Sequence, residues 1–339
     1  MINEEINENE YDLNKLNKEL LDGVEEYIDV SKSINTRKAY EDDWKDFVKF
    51  CKFTKAKYLP ADYPTVSKYL VFCAKFRKPK LKISSIERRL ASIIFKHRES
   101  LHSIDRKHKL IKSVIEGIKR NFGSKPNTSK ALLLEDIKNI IDKIDLDNQQ
   151  SDNKKNESLA RNYRDKALIL IGFLGGFRRS ELINLDFNDI EMDLEGLKIT
   201  IKKSKTDQKG LGSHKKGIRK STVGPKYCPA ISYENWIKVS GINSGRVFRQ
   251  IDNSNTILEK LSDKAVALII KWRSKKAGID PKKLAGHSMR SGIATVLARQ
   301  EGVTETDIKK VTGHRSTTIV QGYIQDAEIF DNATKKLDL

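Results

Sequence analysis

The sequence predicts a mainly α-helical chain of two domains, an all-helical first domain and a mostly helical second domain with a small sheet. Three observations predict it. Apolar residues recur at helical spacing in one segment after another from Leu20 onward. A stretch with no periodicity, "GSKPNTSKA" at residues 123–131, interrupts the pattern. One segment, "LEGLKITIKKSKTDQKG", alternates instead, with Leu197, Ile199 and Ile201 on one face, as a strand requires. At 339 residues the chain is long enough for two domains, each with a buried core.

The elements follow in order. Residues 1–18 are polar and acidic and read as a flexible arm. Residues 19–122 make the helical first domain. In "SINTRKAYEDDWKDFVKFCKF", Tyr40, Trp44, Phe47, Val48 and Cys51 share a face, with Asn35 or Thr36 as N-cap. "PTVSKYLVFCAKF", "SSIERRLASIIFKHRESL" and "KLIKSVIEGIKRNF" are further amphipathic helices. Residues 123–131 are a linker by composition, and the second domain occupies 132–325. There "LLLEDIKNIIDKI" restarts a helix, "NQQSDNKKNES" is a polar loop and "RDKALILIGFLGGF" is a strongly apolar helix. The alternating strand ends in a turn bearing Lys and Gly, and helices resume from Ser262. The tail 326–339 is amphipathic through Ala327, Ile329, Phe330 and Ala333. No internal repeat is apparent.

Charge narrows the partner. The net charge is +19, unevenly spread. Residues 1–30 hold ten acids against Lys15 and Lys18, whereas residues 75–130 hold 17 Lys or Arg against Glu87, Glu99, Asp105 and Glu116. A second cluster, Lys202 to Lys220, has eight basic residues and one acid, Asp207. Lysine-rich composition alone would not create such asymmetry, which points to a polyanion, nucleic acid above all. No run of 18 apolar residues exists, which argues against a membrane span, and "MINEEINENE" lacks the character of a signal peptide. Cys51, Cys73 and Cys228 lie far apart, which suggests a reducing compartment and argues against zinc or a disulfide framework.

Three segments of the second domain set basic or hydrogen-bonding residues beside glycines and apolar helix. "GGFRRSEL" carries Arg178 and Arg179; "AGHSMRSGIA" carries His287 and Arg290, one helical turn apart; "GHRSTTIVQGYI" carries His314 and Tyr323. Taken singly these are surface charges, a solvated helix face and a half-buried anchor. Together, in a basic protein, they suit phosphoryl transfer at a DNA phosphodiester without metal. Two guanidiniums grip the non-bridging oxygens and stabilise a pentavalent transition state. A phenol attacks to give a covalent intermediate, histidines position groups and exchange protons, and a lysine protonates the departing 5′ oxygen. No acidic cluster suited to Mg²⁺ accompanies them. A metal site through His287, His314 and Cys228 is a weaker reading, for no acid stands at ligand spacing.

These boxes resemble the tyrosine recombinase (phage integrase) family, most of all its Cre-type site-specific members. "GGFRRSEL" is similar to the box around the family's first arginine, and "KSKTDQKG" to its β-turn lysine segment. "GHSMRSGIATVLARQEGVTETDIKKVTGH" resembles the helix opening on H-x-x-R and running to a G-H step, and "IVQGYI" the nucleophile box. The resemblance spans roughly Leu20 to the C-terminus. It implies a helical core-binding domain and an α+β catalytic domain with a small antiparallel sheet, forming a C-shaped clamp on DNA.

Residue by residue, it implies that Arg178 holds the scissile phosphate, buttressed by Glu181, and that Tyr323 is the nucleophile. His287 and Arg290 match the H-x-x-R pair, and His314 the family's His or Trp position. Lys202, Lys203, Lys205 and Lys209 crowd one stretch, and the "SKTD" likeness favours Lys205 as general acid; Arg179 is a candidate by proximity to Arg178. DNA contacts are expected at Thr36, Arg37, Lys38, Ser85, Arg88, Arg89, Ser262 and Lys264, with Lys202 and Lys203 beside the catalytic turn.

The implied activity is cleavage to a 3′-phosphotyrosyl link and strand exchange through a Holliday junction, without metal, ATP or another cofactor. The implied partners are double-stranded DNA with an inverted-repeat site and other copies of the chain. Four copies would act on two sites, a dimer per site, with the tail 326–339 docking on a neighbouring protomer; neither membrane nor small-molecule substrate is expected. A cytoplasmic, nucleoid-associated protein of bacterial, phage or plasmid origin is the corresponding expectation. Two rivals stand beside this reading: a type IB topoisomerase-like enzyme and a catalytically decayed DNA-binding protein.

Overall fold

The computed structural model describes residues 34–122, 129–150, 159–202, 214–314 and 316–327. The chain divides into two units, Met1–Asn127 and Thr128–Leu339.

In the first unit the described helices are α1 (Ile34–Phe53), α2 (Tyr63–Val71, continued by a π-helical turn Phe72–Phe76), α3 (Ile83–Glu99) and α4 (Lys109–Phe122). On α1, Phe47 and Cys51 are fully buried and Trp44 packs against them. Helix α1 already includes Ile34, so Asn35 and Thr36 lie in its first turn rather than at the cap. Polar identity marks an approximate start but cannot fix the residue. Helix α2 is capped by the Asp62 carboxylate, which accepts from Thr65 N at 2.7 Å, and Pro64 occupies its first turn, where an N–H is not required.

The core also encloses a charged knot. Asp46 accepts from Tyr69 Oη and Arg77 Nη1, each at 2.7 Å, and from Arg89. Burial opposes the Asp46 charge, but hydrogen bonds from Arg77 and Tyr69, with the Arg89 guanidinium, outweigh it and hold the carboxyl below its usual range.

In the second unit the described elements are α5 (Leu134–Gln150), α6 (Leu159–Leu174), α7 (Arg179–Ile183) and strands β1 (Ile190–Met192), β2 (Gly196–Ile201) and β3 (His214–Arg219). Helices α8 (Pro229–Ser240), α9 (Asp263–Lys276), α10 (Ser288–Ala298), α11 (Glu305–Thr312) and α12 (Thr317–Ala327) follow. The strands form one antiparallel sheet in the order β1-β2-β3, with Ile190 opposite Ile199 and Ile199 opposite Lys216. Helix α6 is apolar from Ala167 to Leu174, is buried on nearly all sides and packs against α5, α8 and α10. Its buried Asp165 pairs with Arg164 at 2.6 Å and with Arg273 of α9 at 2.7 Å, so removing one partner would strand a buried charge. Among the described residues no helix is long and apolar enough to cross a membrane.

The linker predicted over 123–131 ends sooner in the structure. Lys130 N donates to Lys283 O at 2.8 Å and Leu132 N to Ser288 O at 2.9 Å, which ties this strand-like segment to the second unit. Composition does not register backbone pairing, and residues 123–128 lie outside the described set, as do the arm 1–18, residues 19–33 and most of the tail. The close passage of Leu132 over α10 requires Gly292, where an added Cβ would stand 1.8 Å from Leu132 O.

Two glycines of similar helical setting therefore differ in consequence. Gly292→Ala should destabilise the second unit by about 3 kcal/mol through overpacking. Gly117→Ala, inside α4 with nothing within 4 Å, should stabilise the first by about 1 kcal/mol through helix propensity. Urea unfolding of each variant measures both signs.

Candidate active site

The site is assembled where two helices end. After Leu174, α6 closes with Gly175 N donating to Ile171 O at 2.9 Å and Phe177 N to Gly172 O at 3.0 Å. Gly176 is left-handed, with φ of 56°, and a Cβ there would approach Thr312 Cα and Val311 O at 3.2 Å. Glycine thus permits the C-terminus of α11 to pass directly over the α6 turn. Helix α11 itself ends at Gly313, also left-handed, whose N–H donates to Lys309 O at 2.6 Å.

Arg178 follows the glycines as the N-cap of α7. Glu181, buried three residues on, accepts from Arg178 N at 3.0 Å and from Arg178 Nη1 at 2.5 Å, while Arg178 Nη2 donates to Gly313 O at 3.2 Å. Arg179 faces elsewhere: its Nη1 donates to Asp263 O at 3.3 Å, and its side chain covers Gly286, where a Cβ would stand 2.2 Å from Nε. Arg178 was the preferred match and Arg179 a candidate by proximity; the two side chains reach different partners, Gly313 O and Asp263 O.

His287 and Arg290 open α10. His287 is its exposed N-cap, whereas Arg290 is buried. Arg290 Nη1 donates to Gly176 O at 2.6 Å and Nε to His314 Nε2 at 3.3 Å. Its Nη2 is buried without a hydrogen-bond partner among the described residues. Burial, then the neighbouring Arg178, lowers the Arg290 pKa to about 10.

The tautomer of His314 follows from its neighbours. Thr312 Oγ1 donates to Ile308 O at 2.6 Å and so accepts from His314 Nδ1 at 2.8 Å, leaving Nε2 as acceptor toward Arg290. Burial, then Arg290, Arg178, His287 and Lys216, push His314 down to about 4, so it is neutral at physiological pH. Tyr323 lies half-buried on α12 with its ring centroid 6.0 Å from that of His314. Burial raises its pKa, and Arg290 opposes the rise.

A further cation escaped the sequence reading. Lys216 of β3 is buried, its Nζ donating to Gly175 O at 2.6 Å and to Val311 O, and lying 5.0 Å from the Phe177 ring centroid. Burial pushes it down to about 8, Glu181 opposing and Arg290 and Arg178 reinforcing. The available signal was its place two residues before Ile218 in an alternating strand, an inward position occupied by a lysine.

Of the turn lysines, Lys202 is exposed at the end of β2 and pairs with Asp189 at 2.6 Å; Lys203, Lys205 and Lys209 lie outside the described residues. The other candidate contacts are scattered by design of the helices that carry them. Thr36 and Lys38 are exposed and Arg37 half-buried on α1; Ser85 is half-buried on α3. Arg88 is half-exposed and bidentate on Asp43, at 2.7 and 3.1 Å. Arg89 requires correction. Its guanidinium points inward to Asp46 and Tyr69, and the side chain is 10% exposed, because residue 89 falls on the packed face of α3 and residue 88 beside it does not. Ser262 caps α9 by accepting from Ala265 N at 3.1 Å, and Lys264 is exposed beside it. Among the described residues no group of three His, Cys, Asp or Glu could hold a metal ion.

Comparison with known proteins gives a consistent pattern. The model described as "Phage integrase family" matches residues 144–328. An integrase/recombinase XerD homolog of Selenomonas ruminantium is 31% identical over 315 residues, covering 91% of this chain and 87% of the relative. Tyrosine recombinase XerA of Pyrococcus horikoshii is 24% identical, covering 87% and 88%. Among solved structures, XerH recombinase bound to its difH substrate after cleavage aligns with a TM-score of 0.57 at 16% identity, over 80% of this chain and 72% of that one. A λ integrase dimer bound to a core site aligns at 0.54 and 16% identity, over 90% and 94%; at these identities the likeness is one of fold.

The depressed His314 pKa has a measurable sign. Unfolded, the histidine takes its proton near 6.5; folded, near 4. Between these values the unfolded chain binds more protons, so this contribution to stability is complete above 6.5 and is lost as pH falls toward 4. His314→Asn, which does not titrate, should lose less unfolding free energy than wild type across that interval, as measured by urea titration at each pH.

Proposed function

Since the chain belongs to the phage integrase family of tyrosine recombinases and is a site-specific DNA recombinase, we propose that Tyr323 is its nucleophile and that Arg178, Arg290, His287, His314, Lys205 and Glu181 act around the scissile phosphate. One observation carries this reading. Arg178 pairs with the buried Glu181, the one carboxylate whose charge also reaches Arg290 and Lys216, and Arg290 still has a buried Nη2 without a described partner. An excess of buried positive charge beside a phenol suits a phosphodiester, whose two non-bridging oxygens accept from both guanidiniums.

The Tyr323 oxygen bonds to phosphorus as the bond to the 5′ oxygen breaks, leaving a 3′-phosphotyrosyl link. His287, at the exposed mouth of α10, takes the phenolic proton, and Lys205 supplies one to the departing 5′ oxygen. The pentavalent transition state gains negative charge, which the two arginines stabilise. Neutral His314 holds the Arg290 plane through Nε2, and Glu181 fixes Arg178 by its two contacts. The free 5′ hydroxyl then attacks the link in a partner duplex, regenerating Tyr323, and two such exchanges pass through a Holliday junction.

The duplex carries an inverted repeat with one protomer on each arm, and four protomers on two sites form the working unit, with residues 326–339 reaching a neighbour. Thr36, Arg37, Lys38, Ser85 and Arg88 of the first unit, with Ser262, Lys264, Lys202 and Lys203 of the second, contact the DNA, mostly at phosphates. Arg89 drops out of that set. This DNA work belongs in the cytoplasm.

A nicked suicide duplex carrying the protein's own flanking repeat tests the reading. Wild type should form a covalent adduct, and Tyr323→Phe should form none while binding the duplex within about threefold; an adduct surviving in Tyr323→Phe would overturn the nucleophile. Lys205→Ala should cleave at least about 100-fold more slowly and recover on a duplex with sulfur in place of the scissile 5′ oxygen, since a thiolate leaves without protonation.

A further inference from the structure

Lys216 is an anomaly by burial alone. Strand β3 alternates, with Lys215 and Gly217 outward and Lys216 and Ile218 inward. Its neighbour across the ladder is Ile199, itself fully buried. An isoleucine or methionine would fill this position without the cost of removing an ammonium from water. The compensation present is unusual as well. No carboxylate forms an ion pair with Lys216 among the described residues, and its donors go to two neutral backbone oxygens, Gly175 O and Val311 O.

Those two oxygens belong to the two chain segments that carry the phosphate-binding groups. Gly175 precedes Gly176, whose carbonyl holds Arg290, and lies three residues before Arg178. Val311 lies two residues before Gly313, whose carbonyl holds Arg178, and three before His314. Resting on the recombinase reading, we propose that Lys216 is a positioning residue: its ammonium fastens the α6 turn to the end of α11, so that Arg178, Arg290 and His314 converge on one phosphate. Its ammonium is engaged by two backbone carbonyls, a holding role distinct from the proton transfer assigned to Lys205. The strand thereby enters the mechanism through a residue other than the turn lysines.

Without the ammonium, both carbonyls lose a buried donor and the two segments are no longer held at the present separation. Lys216→Met should therefore bind the repeat duplex within about threefold of wild type yet form the covalent adduct at least about 100-fold more slowly in a single turnover. Lys216→Arg, which keeps a multidentate cation for two carbonyls, should recover at least about tenfold over Lys216→Met. On the duplex with sulfur at the 5′ bridging position the Lys216→Met deficit should remain in full, whereas Lys205→Ala recovers. If Lys216→Met melts below the assay temperature, Lys216→Gln, which keeps an amide NH₂ but loses the charge and reach of the ammonium, is expected to show the same pattern at about tenfold. Cleavage by Lys216→Met, or by Lys216→Gln where it stands in, within threefold of wild type would overturn the assignment, and so would recovery of Lys216→Met on the sulfur duplex, which would make Lys216 the proton donor. Absence of an adduct with wild type would instead overturn the recombinase reading itself.

Discussion

The second unit depends on cations held by the carbonyls left free at two helix ends. Helices α6 and α11 finish within contact of one another, and each end leaves C=O groups unused by its own ladder. Arg290 takes Gly176 O, Arg178 takes Gly313 O, and Lys216 takes Gly175 O and Val311 O. Helix C-termini favour positive charge, so each contact is supported by the dipole behind it. A carbonyl satisfies an N–H without cancelling its charge. The site therefore stays electropositive while nearly every donor in it has a partner, which is the condition for gripping an anion in a partly dry setting.

The first unit shows the opposite use of the same side chains. Arg89 turns its guanidinium inward to the carboxylate of Asp46, and its charge is neutralised within the helical unit. Removing one partner of such a pair would leave the other charge uncompensated. An arginine is thus structural or functional according to what accepts from it, and the acceptor comes from the fold rather than from the arginine's own neighbourhood in sequence.

That distinction governs how much could be read beforehand. The helices announced themselves through spacing: Trp44, Phe47 and Cys51 line one side of α1, and the apolar run from Ala167 to Phe173 is buried through α6. Strand β2 was visible in Leu197, Ile199 and Ile201. Strand β1 is too short to show a period, and β3 hides because a lysine occupies one of its inward places, a local violation of the alternating pattern. The motif residues Arg178, Arg290, His314 and Tyr323 were nameable from the sequence and do gather in the second unit. Arg89 was misread because i and i+1 on a helix look alike as letters and face apart in space. Lys216 went unseen because its significance lies in carbonyls, and every residue has one.

Helix α12 joins the rest of its unit on different terms from the helices around it. Ala294, Ile308 and Val320 form a small fully buried cluster of their own, with Tyr323 and Ile324 at its edge, apart from the large core that contains α6. A Lys309 Nζ bond to Thr317 Oγ1 at 2.7 Å adds an exposed polar tie at its start. Helix α12 thus meets its unit chiefly through α10 and α11, the helix that carries Arg290 and the one that ends at Gly313. A displacement of α12 would therefore be felt first at those two helices, and only through them by the large core.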